Sequence, residues 1–235
     1  MAFTVPENKF LELMGEFISP FSLVREKLHI IKCLIFDWDG IFNSGAKGTI
    51  PSNFNEIDSM GVNMMRYGLY LLHNTIPFTA IVTGENNQTA FQWATREHLD
   101  SVYFKVKDKK QILPELEEKY GVLPEDILFV FDDILDLSLA RKVGLRFLVQ
   151  HSSNPLFIEY CRQNHLCDYI TRNSGDQKAV REISELSLYA IGKFSETIDG
   201  RVRFDGPYSN YLRTRNKIST KIYSASEDGF VETEP

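Results

Sequence analysis

The feature that most constrains this chain is a series of short apolar runs that each break off at a polar or acidic residue. Ile30 to Phe36 runs into Asp37-Trp38-Asp39-Gly40, Phe78 to Val82 into Thr83-Gly84, and Ile127 to Phe131 into Asp132-Asp133. Two further runs cover Val102 to Phe104 and Phe147 to Val149. Runs this short read as strands rather than helices. Helical spacing fills the intervals near 60–73, 86–98, 110–120, 134–142, 155–165 and 178–193. Alternation of the two predicts an α/β fold, a parallel sheet covered by helices on both faces. Such sheets bind ligands outside the carboxyl ends of their strands, where these polar residues stand.

A chain of 235 residues, 43% hydrophobic and 25% charged, can bury one large core, which excludes a disordered or low-complexity protein. Its 26 basic against 32 acidic residues leave a net charge of −6, which excludes bulk attraction to nucleic acid or to an anionic membrane. Cys33, Cys161 and Cys167 are odd in number and lack CxxC spacing, so neither a disulfide framework nor a zinc site is expected, and a reducing cytoplasm fits. The opening MAFTVPENKFLELMGEF has no basic start, and Glu7, Glu12 and Glu16 interrupt its apolar residues, unlike a signal peptide. No apolar run approaches the roughly 20 residues of a membrane span.

Three regions are expected. In residues 1–29, Phe10, Leu13, Met14, Phe17 and Ile18 fall at helical spacing, which predicts an amphipathic helical extension. Residues 30–195 form the main domain. Residues 196–235 carry Arg201, Arg203, Arg213, Arg215, Lys217 and Lys221, then Glu227, Asp228, Glu232 and Glu234, without apolar periodicity. They read as a solvated or disordered tail, or as a segment that contacts a neighbouring subunit.

Asp37 and Asp39 at one strand end and Asp132, Asp133 and Asp136 at another can converge on one mouth. So many carboxylates repel one another unless a hard cation sits among them, and oxygen-only donors point to Mg²⁺. Thr83 and the Gly84 N–H suit a phosphate oxygen. The five histidines, His29, His73, His98, His151 and His165, share no metal-ligand spacing and read as surface or partly buried residues. Phe91 and Trp93 read as core or subunit contacts.

The order DxDG, Thr-Gly, lysine and DDxxD, each after a strand, resembles the haloacid dehalogenase superfamily of phosphotransferases. FDWDGIFNSG (36–45), FNEIDSMGV (54–62), IVTGE (81–85), FKVKDKK (104–110), EDILFVFDDILD (125–136), KVGL (142–145) and GDQKAVRE (175–182) are similar to its cap-less sugar-acid phosphatases. Those enzymes hydrolyse 3-deoxy-octulosonate 8-phosphate or related nine-carbon ulosonate 9-phosphates. The resemblance implies a Rossmann-like sheet without a cap domain, a small flap over residues 43–57, Mg²⁺ dependence, and a homotetramer whose neighbours complete each other's sites.

It also implies roles. Asp37 is the nucleophile of an aspartyl-phosphate intermediate, and Asp39 the acid and base for leaving group and water. Mg²⁺ is held by Asp37, the Asp39 backbone carbonyl and Asp132. Thr83, Gly84 and Lys109 bind the phosphoryl oxygens, with Lys105, Lys107 and Lys110 as nearby alternatives to Lys109. Asp133 and Asp136 support the lysine and the metal. Glu85 stands where the eight-carbon branch typically has arginine and so resembles the nine-carbon branch; Arg96 is assigned to the substrate carboxylate across a subunit boundary. The leading expectation is a nine-carbon 9-phosphate phosphatase. The alternatives are an octulosonate 8-phosphate phosphatase and an interaction or regulatory module that keeps the fold without turnover. The chain departs from the family pattern at Trp38, Asn43, Ser44, Ser59-Met60 and Phe131. Phe131 replaces a glycine and must either enter the core or crowd the metal.

Overall fold

The structure is a computed structural model that describes residues 5–47, 53–204, 206–227 and 229–233. The strands are β1 (Glu16–Phe17), β2 (Cys33–Phe36), β3 (Phe78–Val82), β4 (Ser101–Phe104), β5 (Ile127–Phe131), β6 (Leu145–Leu148), β7 (Tyr169–Ile170), β8 (Lys221–Ser226) and β9 (Gly229–Thr233). They form one sheet in the order β1-β7-β6-β5-β2-β3-β4-β8-β9. All neighbours are parallel except the two outermost pairs, β1 with β7 and β8 with β9. The expected α/β class holds.

The central strands are apolar throughout because both faces are covered. Leu34 and Phe36 of β2, Ile81 of β3 and Leu128 and Val130 of β5 join one core layer, with Val24, Met65, Trp93 and Ile183 from the helices Phe21–Leu28, Glu56–His73, Gln88–Arg96 and Ala179–Ala190. Cys33, Ile35, Ala80, Val82, Phe129 and Phe131 point the opposite way, toward Leu116 and Cys161 of the helices Ile112–Tyr120 and Pro155–Gln163. Alternation of side chains along each strand produces the two layers. It also settles Phe131: the ring is fully buried and stacks on Phe129 with centroids 5.6 Å apart, so it packs into the core and leaves the site clear. Phe91 and Trp93 are buried in the other layer.

Residues 1–29 depart from a single amphipathic helix. Helix Glu7–Leu13 stops before Gly15, where an added Cβ would lie 2.2 Å from the Ile170 carbonyl oxygen, and the chain then pairs as β1 with β7. Helix Phe21–Leu28 follows, with Phe21, Val24 and Leu28 buried.

The reading of 196–235 as a tail is corrected over its described residues. Helices Phe194–Arg203 and Gly206–Arg215 lead into β8, which lies parallel to β4, and β9 covers β8. Their anchors are tyrosines rather than aliphatic residues, so hydropathy does not register them. Tyr208 and Tyr211 are buried against Tyr67 of helix Glu56–His73, and the Tyr211 hydroxyl donates to Asn63 Oδ1 at 2.9 Å. A buried tyrosine needs such a partner for its hydroxyl, and Asn63 supplies it.

Pro114 does not break the lysine-bearing segment. The turn Lys109–Gln111 is 3₁₀, and Pro114 falls in the first turn of helix Ile112–Tyr120, where a missing N–H costs nothing. Of the flap expected over 43–57, residues 48–52 lie outside the described residues, and Glu56 already begins a helix.

Candidate active site

The strand order brings the acidic motifs together. β5 pairs directly with β2, and β3 flanks β2 on the other side, so the ends carrying Asp37, Asp132 and Thr83 stand side by side. A cavity of about 420 Å³ opens there. Asp37, Asp39, Thr83, Gly84, Glu85, Lys109, Asp132, Asp133 and Asp136, nine sequence-predicted residues, all line it.

Lys109 is the buried lysine of its segment, whereas Lys105, Lys107 and Lys110 are exposed. Its ammonium lies 2.8 Å from Asp37 Oδ1 and also contacts Asp136 Oδ1. Burial alone would lower the Lys109 pKa, but Asp136 and Asp37 override it and hold the ammonium charged. Asp37 is pushed up to about 8, first by burial and then by Asp136 and Asp132, against the pull of Lys109. Burial likewise raises Asp132. Asp37, Asp132 and Asp136 present carboxylate oxygens that all lie within 4.8 Å of one another.

The Asp136 carboxylate is engaged on both oxygens. Oδ2 accepts from the Asp132 and Asp133 N–H groups at 3.3 and 3.1 Å, and Oδ1 meets Lys109. Asp133 caps the turn Ile134–Asp136 by accepting from the Ile134 N–H at 2.7 Å. Asp136 and Asp133 therefore shape the loop after β5.

Gly40 makes a tight turn beside this cluster. Its φ of +80° belongs to the left-handed region, and an added Cβ would lie 1.9 Å from Asp132 Oδ2. Gly175, from the GDQKAVRE segment, packs so closely that its Cβ would lie 2.0 Å from the Gly40 carbonyl oxygen. The segment thus braces the DWDG loop from behind.

Three contacts escaped the sequence reading. His151 Nε2 donates to Asp132 Oδ2 at 2.8 Å and lines the cavity; that bond raises its pKa above the ordinary histidine value, against burial. Asn87 Nδ2 donates to both Asp39 Oδ2 at 2.8 Å and Thr83 Oγ1 at 3.0 Å. Lys47 forms an ion pair with the same Asp39 oxygen. The strand order is the signal that would have found His151, since β6 adjoins β5 and its loop must face Asp132.

Arg96 is not brought to the cavity. Helix Gln88–Arg96 starts near the mouth and runs away from it for about 1.5 Å per residue, which leaves Arg96 at the far end. There its guanidinium pairs with Glu56 at 2.6 Å and Glu97 at 2.8 Å and lies over the Phe54 ring.

No family model matches the chain. Over 173 residues it is 30% identical to the 3-deoxy-D-manno-octulosonate 8-phosphate phosphatase KdsC of Escherichia coli (strain B), an alignment that covers 74% of this chain and 87% of that protein. The chain belongs to the haloacid dehalogenase sugar-acid phosphatases. This family consists of phosphoric monoester hydrolases, and its fold is the one found here. A haloacid dehalogenase hydrolase structure from Legionella pneumophila superposes with a TM-score of 0.65 at 25% identity, covering 84% of this chain and all of that one (100%). The 3-deoxy-D-manno-octulosonate 8-phosphate phosphatase of Moraxella catarrhalis, in complex with magnesium, phosphate and the sugar acid, superposes with a TM-score of 0.62 at 25% identity, covering 77% of this chain and 98% of that one. Among the described residues, no helix is long and apolar enough to cross a membrane.

Proposed function

We propose that this member of the family is a Mg²⁺-dependent phosphatase of a phosphorylated 3-deoxy sugar acid. The observation that carries the reading is the convergence of Asp37, Lys109, Thr83 and Asp132 on one cavity at the strand ends. A phosphoryl group resists attack because its oxygens repel nucleophiles. Lys109, Thr83 and the Gly84 N–H are arranged to hold those oxygens. Asp37 is placed beside them to attack phosphorus and take the phosphoryl group as an aspartyl-phosphate. Asp39, held by Asn87 at the same mouth, gives a proton to the departing alkoxide and later takes one from the incoming water.

The carboxylate cluster suits a hard cation. Burial and mutual repulsion have already raised Asp37, which is the signature of negative charge that a cation would relieve. Since Asp136 spends its oxygens on backbone N–H groups and Lys109, the ligands would be Asp37, Asp132 and the Asp39 backbone carbonyl. When bound, Mg²⁺ supplies neutralisation of the phosphoryl and carboxylate charge.

For the substrate we favour 3-deoxy-octulosonate 8-phosphate, supported by the likeness to the Escherichia coli and Moraxella 3-deoxy-D-manno-octulosonate 8-phosphate phosphatases. A nine-carbon 9-phosphate is the second reading, supported by Glu85 at the cavity wall; Arg96, paired with Glu56 in its own chain, would reach the substrate carboxylate only from a neighbouring subunit. We further propose a homotetramer in which a neighbour covers the mouth, supported by Ile134 and Leu135, 66% and 64% exposed beside it. The three free, buried cysteines suit a reducing cytoplasm. The test is kcat/KM for the eight- and nine-carbon substrates side by side with Mg²⁺. Preference for the eight-carbon ester supports the first reading, preference for the nine-carbon ester the second, and turnover of neither refutes both.

A further inference from the structure

A sugar-acid phosphate carries a carboxylate remote from its phosphoryl group, and the cavity receives such an anion poorly. Its ionisable wall is largely acidic, with Asp39, Glu85 and Asp133 standing outside the inner cluster. Lys109 is buried at the phosphoryl end and committed to Asp37 and Asp136. A substrate with two anionic ends requires a second cation at the mouth. In its own chain Arg96 is held away by Glu56, and Lys110 pairs at 3.2 Å with Asp108, which does not line the cavity.

Lys47 meets the requirement. It follows Ser44 and Gly45, which line the cavity, on a turn fixed by Asn43, whose Oδ1 accepts from the Gly45 N–H at 2.8 Å and the Gly40 N–H at 3.4 Å. The ammonium contacts Asp39 Oδ2 and lies 3.2 Å from Asn87 Oδ1, with 51% of the side chain exposed. A cation thus rests against a carboxylate at the rim on a flexible four-carbon stem, able to exchange that carboxylate for one on the substrate. Asp39 does not depend on Lys47 alone, because Asn87 holds the same oxygen at 2.8 Å and ties it to Thr83.

We propose that Lys47 recognises the substrate carboxylate and thereby sets the preference of this enzyme for sugar-acid phosphates over neutral sugar phosphates. The proposal rests on the phosphatase reading above and adds the residue that selects the acid.

The test compares wild type, Lys47→Met and Lys47→Arg on 3-deoxy-octulosonate 8-phosphate and on glucose 6-phosphate, which has no carboxylate. The quantity read is the ratio of the two kcat/KM values. Any loosening of Asp39 lowers both rates and cancels in the ratio, whereas loss of carboxylate recognition lowers it. Lys47→Met should reduce the ratio roughly 10- to 100-fold, the worth of a charge-assisted hydrogen bond, mainly through KM for the acid. Lys47→Arg should restore most of it. Calorimetric affinity for the free octulosonate should fall in parallel in Lys47→Met. A wild-type preference for the acid that survives Lys47→Met overturns the proposal and leaves the phosphatase reading standing. A wild type without any such preference overturns the sugar-acid reading, and this proposal with it.

Discussion

Replacing Phe131 with alanine separates a core role from a role in the site. The ring is fully buried and lies 5.6 Å from Phe129 in a layer that also holds Ile35, Val82 and Leu139. Burying a phenylalanine side chain contributes about 2 kcal/mol by transfer from water. The void left behind, of roughly 100 Å³, costs about another 2 kcal/mol at ~24 cal/mol per Å³. The expected loss is therefore about 4 kcal/mol, or roughly 8 to 16 °C in Tm for a domain of this size. Urea unfolding followed by circular dichroism measures it. Phosphatase activity per folded molecule should stay near wild type, because the ring packs with Ile35, Phe129 and Leu139 and not among the Asp37, Asp132 and Asp136 carboxylates. A loss below about 1 kcal/mol together with a rise in kcat would show that the ring crowds the site, and would refute this packing.

Lys109→Met should lower kcat by about 10²- to 10³-fold, the usual value of one preorganised donor to a charge-bearing oxygen, and steady-state kinetics with circular dichroism as a folding control will check it. Asp168→Asn should destabilise the fold by about 3 kcal/mol at neutral pH, since Asp168 is fully buried and receives hydrogen bonds from Arg146 at 2.9 Å, Lys27 at 2.9 Å and Ser19 at 2.7 Å. Burial alone would raise the Asp168 carboxyl, but Arg146, Lys27 and Ser19 hold it below the ordinary value. Its contribution is therefore complete above the unfolded value of about 4 and lost as pH falls through the folded one. The gap between wild type and Asp168→Asn in urea melts should narrow below pH ~4; a gap that widens there contradicts the ion-pair account.

The central half of the sheet was legible because its strands are continuous apolar runs ending in chemistry-bearing residues. Phe36 before Asp37 and Val82 before Thr83 mark strand ends without ambiguity. The edges were not legible, for physical reasons. β1 and β7 are two residues each, too short for any periodicity, and β1 exists because Gly15 lets the chain approach Ile170. Helix Gly206–Arg215 hides behind its charges, since Tyr208 and Tyr211 anchor it through aromatic packing and a hydroxyl bond rather than an aliphatic stripe. The inner site followed from motif order, including Lys109. His151 did not, because it reaches Asp132 only through the pairing of β5 with β6. Arg96 stands away from the cavity of its own chain because it closes helix Gln88–Arg96, whose first turn is the end near the mouth.

The most direct test of the central claim is phosphate release from 3-deoxy-octulosonate 8-phosphate by wild type and Asp37→Asn, each with Mg²⁺ and with EDTA. Wild type should turn over only with Mg²⁺. Asp37→Asn should fold and bind phosphate, yet show a rate lower by at least about 10³-fold, since an amide neither attacks phosphorus nor offers a charged oxygen to the metal. Wild-type turnover that persists in EDTA, or an Asp37→Asn rate within about tenfold of wild type, would contradict the assignment of catalysis to this carboxylate cluster.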